Sequence, residues 1–110
     1  MVPVPGGKLI RELFGRASSD SDLFSLAHMV APGGWSEPPQ TPQFDEITVV
    51  VRGRVRVDVD GESIELTAGQ AIWTESGTRV HYANPFDDEA EYLAICIPAF
   101  TVERAGRDPE

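Results

Sequence analysis

Cysteine is nearly missing from this sequence: Cys96 is the only one among 110 residues. That excludes an intramolecular disulfide framework and the multi-cysteine zinc ligand sets, and it makes a reduced, cytoplasmic setting the expected one. Histidine is almost as scarce, with His28 and His81 alone. Basic residues are few, 9 against 18 acidic, so the formal net charge is -9. A polyanion partner requires a clustered Lys/Arg footprint that displaces counterions, so nucleic acid is not an expected partner. An anionic membrane surface is unsuited for the same reason. No apolar run approaches the ~20 residues of a membrane-spanning helix. The opening Met1–Gly7 lacks a basic segment followed by a long apolar stretch, the mark of a signal peptide. Also absent are a phosphate-cradling loop ending in Lys-Ser/Thr, a Gly-x-Ser-x-Gly nucleophile turn, internal repeats and low-complexity tracts.

What is present is ordinary globular composition, 41% hydrophobic and 25% charged, in a chain of one-domain length. No 3.6-residue apolar period is sustained; short alternating segments stand between glycine turns instead. Residues 1–22 read as a loose extension holding at most one turn or edge strand, in the mixed segment Lys8–Phe14. A strand is expected over Leu23–Val30, stopped by Ala31-Pro32-Gly33-Gly34. Pro38, Pro39 and Pro42 then impose an extended irregular stretch.

Glu46–Arg52 is the strongest strand, rich in β-branched residues on both faces. Glu46, Thr48 and Val50 share one face, and Ile47, Val49 and Val51 share the other. Both faces call for cover, and for the second a partner copy or the N-terminal segment would serve. A hairpin follows, with Val55, Val57 and Val59 inward and Asp60-Gly61 as the positive-φ turn pair. Further strands are expected at Ala71–Thr74, Arg79–Ala83 and Tyr92–Ile97, followed by a polar tail over 101–110. The fold class is therefore all-β, a sandwich or small barrel spanning 23–100.

Two stretches carry a family resemblance. Gly34, Gln40, Pro42, Glu46 and Gly53 occupy, without a gap, the places of a motif that reads Gly, His, His, Glu, Gly. Gly69, Glu75, Gly77, Val80 and Asn84 fall on a second motif that reads Gly, Pro, Gly, His, Asn, and 15 residues separate the two. In this spacing the chain resembles the cupin superfamily, the small single-domain barrels with a jelly-roll or double-stranded β-helix fold, over about 24–98. The resemblance implies a barrel interior that holds a small molecule. In metal-dependent members, the three histidines and the glutamate converge there on a divalent transition metal. Here Gln40, Pro42 and Val80 replace the histidines, and only Glu46 remains. His81 is one place late, which turns it to the opposite face unless a bulge intervenes.

Glu46 is thereby the first candidate for chemistry. A carboxylate on an inward strand face must be solvated, hydrogen-bonded, metal-bound or kept neutral, and burial would raise its pKa toward that of a general acid or base. Tyr82 shares a face with Val80 and would bring a phenol inside, as proton donor or as core filler. Gln40 can donate and accept toward a ligand, or satisfy backbone groups beside the prolines. Thr48, Val50, Val80 and Trp73 are the expected pocket walls, with Phe44 and Trp73 also readable as core. His28, on a face with Leu26 and Val30, is either a packed histidine or a pocket residue. If a metal is bound, Glu46, Gln40 and His28 would be its set, a weak one. Cofactor-free chemistry is the other possibility. Cys96 reads as a small buried hydrophobe. Three functions stay open: an acid/base isomerase, lyase or cyclase, an oxygenase-like metalloenzyme, and a non-catalytic sensing barrel. A homodimer is expected from the apolar outer face.

Overall fold

The computed structural model describes residues 2–3, 7–15 and 22–107. The expected loose stretch at Ser18–Ser21 and the Pro/Gly opening at 4–6 lie outside them. The strands are β1 (Val2–Pro3), β2 (Leu9–Phe14), β3 (Ser25–Ala31), β4 (Trp35–Ser36), β5 (Asp45–Arg52), β6 (Arg54–Val59), β7 (Glu62–Thr67), β8 (Ala71–Thr74), β9 (Val80–Asn84) and β10 (Ala90–Ile97), followed by a short helix α1 (Val102–Ala105). They pair antiparallel into a six-stranded sheet, β1-β2-β3-β10-β5-β8, and a four-stranded sheet, β4-β9-β6-β7. The two sheets face each other in the jelly-roll arrangement.

Alternation decides which side chains the sheets enclose. On β5, Glu46, Thr48 and Val50 are buried while Ile47 and Val49 are only partly covered. Val55 and Val57 on β6 and Val80 and Tyr82 on β9 face them from the opposite sheet. With Trp35, Leu66, Tyr92, Ala31 and Ala90 they form one core. A second cluster, Phe44, Cys96 and Ala105 with Phe100 against it, closes one end.

Turn chemistry sets the register. Asp60 (φ 48°) and Gly61 (φ 85°) are the left-handed pair of the β6–β7 hairpin. Between β5 and β6, Gly53 has φ 78°, and a Cβ there would lie 2.6 Å from the Glu89 carbonyl oxygen, so no other residue fits without moving the backbone.

Both ends of the chain join this body. β2 pairs with β3, extending the large sheet. The polar segment after residue 100 folds back: Gln43 N–H donates to the Arg104 carbonyl at 2.7 Å, and Thr41 N–H to that of Gly106 at 2.9 Å. Thr101 caps α1, its hydroxyl accepting from Arg104 N–H. Polar composition concealed this packing because backbone groups make it. No helix among the described residues is long and apolar enough to cross a membrane.

Candidate functional site

The interior between the sheets is polar at its centre. Glu46, second residue of β5, is 7% exposed. The Tyr82 hydroxyl donates to its Oε1 at 3.0 Å, and Thr48 Oγ1 lies 3.2 Å from the same phenol oxygen. With the phenol proton committed to Glu46, the Thr48 hydroxyl is left to donate to Tyr82. The Cys96 thiol stands 3.9 Å from the other carboxylate oxygen, Oε2. Burial pushes the Glu46 pKa up to about 7, against the lowering effect of the Tyr82 hydrogen bond. That places the carboxyl where it can give or take a proton near neutrality. Burial also lifts Tyr82 and Cys96 well above their ordinary ranges, so both remain protonated. Cys96 is thus the buried, unreactive thiol that its apolar strand suggested.

A second polar group, with no signal in the sequence, joins the same core through Tyr92. Lys8, from the segment ahead of β2, is 3% exposed. Its Nζ donates to the Tyr92 hydroxyl at 2.7 Å and stands 3.5 Å from Glu37 Oε2. It also lies 4.2 Å from the Trp35 ring centroid and 5.3 Å from that of Tyr92, the geometry of a cation on aromatic faces. Burial pulls the Lys8 pKa down, while Glu37 and Glu46 act to hold the proton on. Among the described residues three buried side-chain atoms have no hydrogen-bond partner: Trp35 Nε1 and Arg56 Nε, which are donors, and Gln40 Oε1, an acceptor.

Several expected site residues do converge. Glu46, Thr48, Val50, Val80, Tyr82 and Gln40 are all buried. The backbones of Gln40 and Val80 exchange hydrogen bonds of 2.9 and 2.8 Å, so the irregular proline stretch is tied to β9. Trp73 is not among the walls. It pairs with Ile47 on the outer face of the large sheet and is 64% exposed. His28 also leaves the interior: its Nε2 meets Glu91 Oε2 at 2.6 Å on that same outer face. The set Glu46, Gln40, His28 is therefore not brought together, because an odd step along β3 separates His28 from the inward Met29 and Ala31. His81 turns outward as the offset implied, its Nε2 2.8 Å from Ser36 Oγ and its Nδ1 3.4 Å from Asp58 Oδ2.

An amide, a proline ring and an aliphatic side chain occupy the motif's histidine places. Among the described residues no group of three or more His, Cys, Asp or Glu side chains is placed to hold a metal ion. One carboxylate beside a phenol and a protonated thiol does not make the donor set a transition metal prefers.

With the geometry in view, residues 27–96 match the family described as Cupin domain. A Myxococcus xanthus protein named endoribonuclease YbeY is 39% identical over 105 residues, a match spanning 96% of this chain and 36% of that protein. The chain spans between about a third and a half of the length of the curated relatives it matches. Among solved structures, KdgF from Halomonas sp. superposes with a TM-score of 0.77 at 17% identity, covering 94% of this chain and 87% of that one. An RmlC-like cupin from Shewanella frigidimarina gives 0.76 at 19% identity, over 88% and 81%. At such identities these likenesses speak to the fold alone.

Proposed function

The chain belongs to the cupin family, and from that membership we propose that it is a small-molecule-binding barrel whose metal place is degenerate and whose Glu46–Tyr82 pair carries acid/base chemistry of isomerase, lyase or cyclase type. The supporting observation is Glu46 itself. It is a carboxyl enclosed by the barrel, held by one phenol, with a pKa of about 7. Thr48, Val50, Val80 and Gln40 are buried as well, the mixture of few polar anchors among apolar side chains that a small-molecule site uses. Proton transfer needs no metal, and the side chains present supply it. The name endoribonuclease belongs to a relative of which about two-thirds lies beyond the match, and an acidic chain of net charge -9 is poorly suited to RNA.

The test is a turnover screen by NMR at pH 7 with small hydroxy-ketones, lactones and unsaturated acids. At least one class is expected to be converted, and Glu46→Gln to reduce conversion to the buffer rate while remaining folded. Binding without conversion across the panel would leave a sensing barrel and remove the acid/base part of the reading.

We also infer a homodimer built on the outer face of the six-stranded sheet. There Trp73, Ile47, Ile95 and Leu26 form a continuous cross-strand row, with Val51 and Leu9 about half exposed nearby. An apolar band of this extent calls for a partner. Light scattering should give twice the 12.0 kDa chain mass, Ile47→Arg should give a single chain, and acrylamide should quench Trp73 more strongly in that variant than in the wild type. A monomeric wild type at micromolar concentration would end this inference.

A further inference from the structure

Lys8, at 3% exposed, is the most fully enclosed charged side chain among the described residues, and lysines are almost never buried unless paired. Its ammonium has three donors and a defined surrounding for them. One goes to the Tyr92 hydroxyl, one faces Glu37 at the long distance of 3.5 Å, and the Trp35 ring lies beneath. Trp35, Tyr82 and Tyr92 pack in one core, and hydrogen bonds tie Lys8 to Tyr92 and Tyr82 to Glu46, so the Lys8 and Glu46 charges act on one another across it. Its cation comes from the N-terminal segment, outside the matched residues 27–96. Two unpartnered buried atoms belong to residues of this interior, Trp35 under the Lys8 ammonium and Gln40 paired through its backbone with Val80. Gln40 Oε1 calls for a donor and Trp35 Nε1 for an acceptor.

We propose that Lys8 is the resident cation of the barrel, a catalytic partner to Glu46, and that the site takes an uncharged carbonyl compound bearing a hydroxyl group. This rests on the acid/base reading of Glu46. The hydroxyl donates to Gln40 Oε1, and Trp35 Nε1 donates to an oxygen of the ligand. An anionic ligand is disfavoured because Glu37 stands 3.5 Å from the Lys8 ammonium and the Glu46 carboxylate also acts on it. In the step, the Glu46 carboxylate takes a proton from the carbon next to the carbonyl. The C–H electron pair becomes the carbon–carbon π bond of an enolate, and the carbonyl oxygen gathers negative charge. Lys8 stabilises that oxygen through an N–H, as a fixed charge in a water-poor site does. Protonated Glu46 then returns the proton to the same carbon, or to the neighbouring one once the substrate's hydroxyl proton has passed to the former carbonyl oxygen, so that the hydroxyl-bearing carbon becomes the new carbonyl; in either case there is no net oxidation.

Two measurements test this. Carboxyl NMR of ¹³C-glutamate-labelled protein gives the Glu46 midpoint. Because the Lys8 charge favours the Glu46 anion, Lys8→Met is expected to move the midpoint above that of the wild type and Lys8→Arg to restore it. An unmoved midpoint overturns the proposal. In the wild type, a lysine ¹⁵Nζ resonance is expected to step at the Glu46 midpoint, which needs no variant to fold, and its failure to do so is equally fatal. The second measurement is deuterium uptake at the carbon of dihydroxyacetone in D₂O. Lys8→Met is expected to slow uptake by about tenfold or more, with Lys8→Arg recovering part of the rate. Uptake lost in Glu46→Gln but intact in Lys8→Met overturns the role of Lys8 and spares that of Glu46. Uptake intact in Glu46→Gln overturns the acid/base reading itself, and no uptake by the wild type overturns the substrate class.

Discussion

Glu46→Gln is expected to stabilise the protein at pH 8 by about 3 kcal/mol and to leave its stability nearly unchanged at pH 4. The folded-state pKa of Glu46, about 7, lies above its ordinary value of 4.5. The unfolded chain therefore releases this proton first as pH rises. The stability that comes from burying a neutral carboxyl is fully present below about pH 4.5 and is lost as pH climbs through about 7. Glutamine keeps the shape and an acceptor for the Tyr82 hydroxyl but has no charge to desolvate. Urea unfolding of both proteins at pH 4, 6 and 8 isolates the effect, since other titrating groups contribute alike to each. Parallel stability curves across that range would show that Glu46 ionises freely, which would also remove the basis for its chemistry. A variant that is more stable and less active is the signature of a group kept for function.

Trp35→Ala is expected to cost about 4 kcal/mol, the largest loss for any single side chain of the core. The ring is 2% exposed and packs among Val50, Val55, Val57, Tyr82 and Tyr92. Its removal leaves a cavity and also strips Lys8 of the aromatic face 4.2 Å away. Trp35→Phe keeps an aromatic face for the cation and loses part of the ring volume with the unpartnered Nε1, so a smaller loss than for alanine is expected. Denaturant midpoints measure both. Equal losses in the two variants would mean that indole volume, not the support of Lys8, dominates.

Much of this architecture is legible in the sequence because alternation and turn chemistry are local. The strand positions from residue 25 to 97, the Asp60-Gly61 turn and the inward faces of β5, β6 and β9 follow from period-two patterning. Glu46 and Tyr82 were readable for the same reason. Inside and outside were not separable where both faces are apolar. β3 presents Leu26 and Val30 outward with His28, while the smaller Ala27 and Ala31 and Met29 face the other way. Trp73 fails similarly: a large aromatic on a four-residue strand gives no sign of which sheet face it takes. Lys8 carried no signal at all, since its burial depends on contacts with Tyr92, 84 residues away in sequence, and with Trp35 and Glu37. The outward turn of His81, by contrast, follows from a single-residue offset.

The reciprocal backbone bonds between Gln40 and Val80 bear on how this interior can change. They hold the two positions side by side, both buried and on the same side of the barrel wall. Side chains there can be exchanged without rethreading the chain, because the frame is set by main-chain groups that every residue but proline carries. Two imidazoles introduced at 40 and 80 would stand as neighbours near the Glu46–Tyr82 pair. The same scaffold is thus two substitutions from a different donor chemistry, and the third motif place, Pro42, is the one whose ring would still have to go.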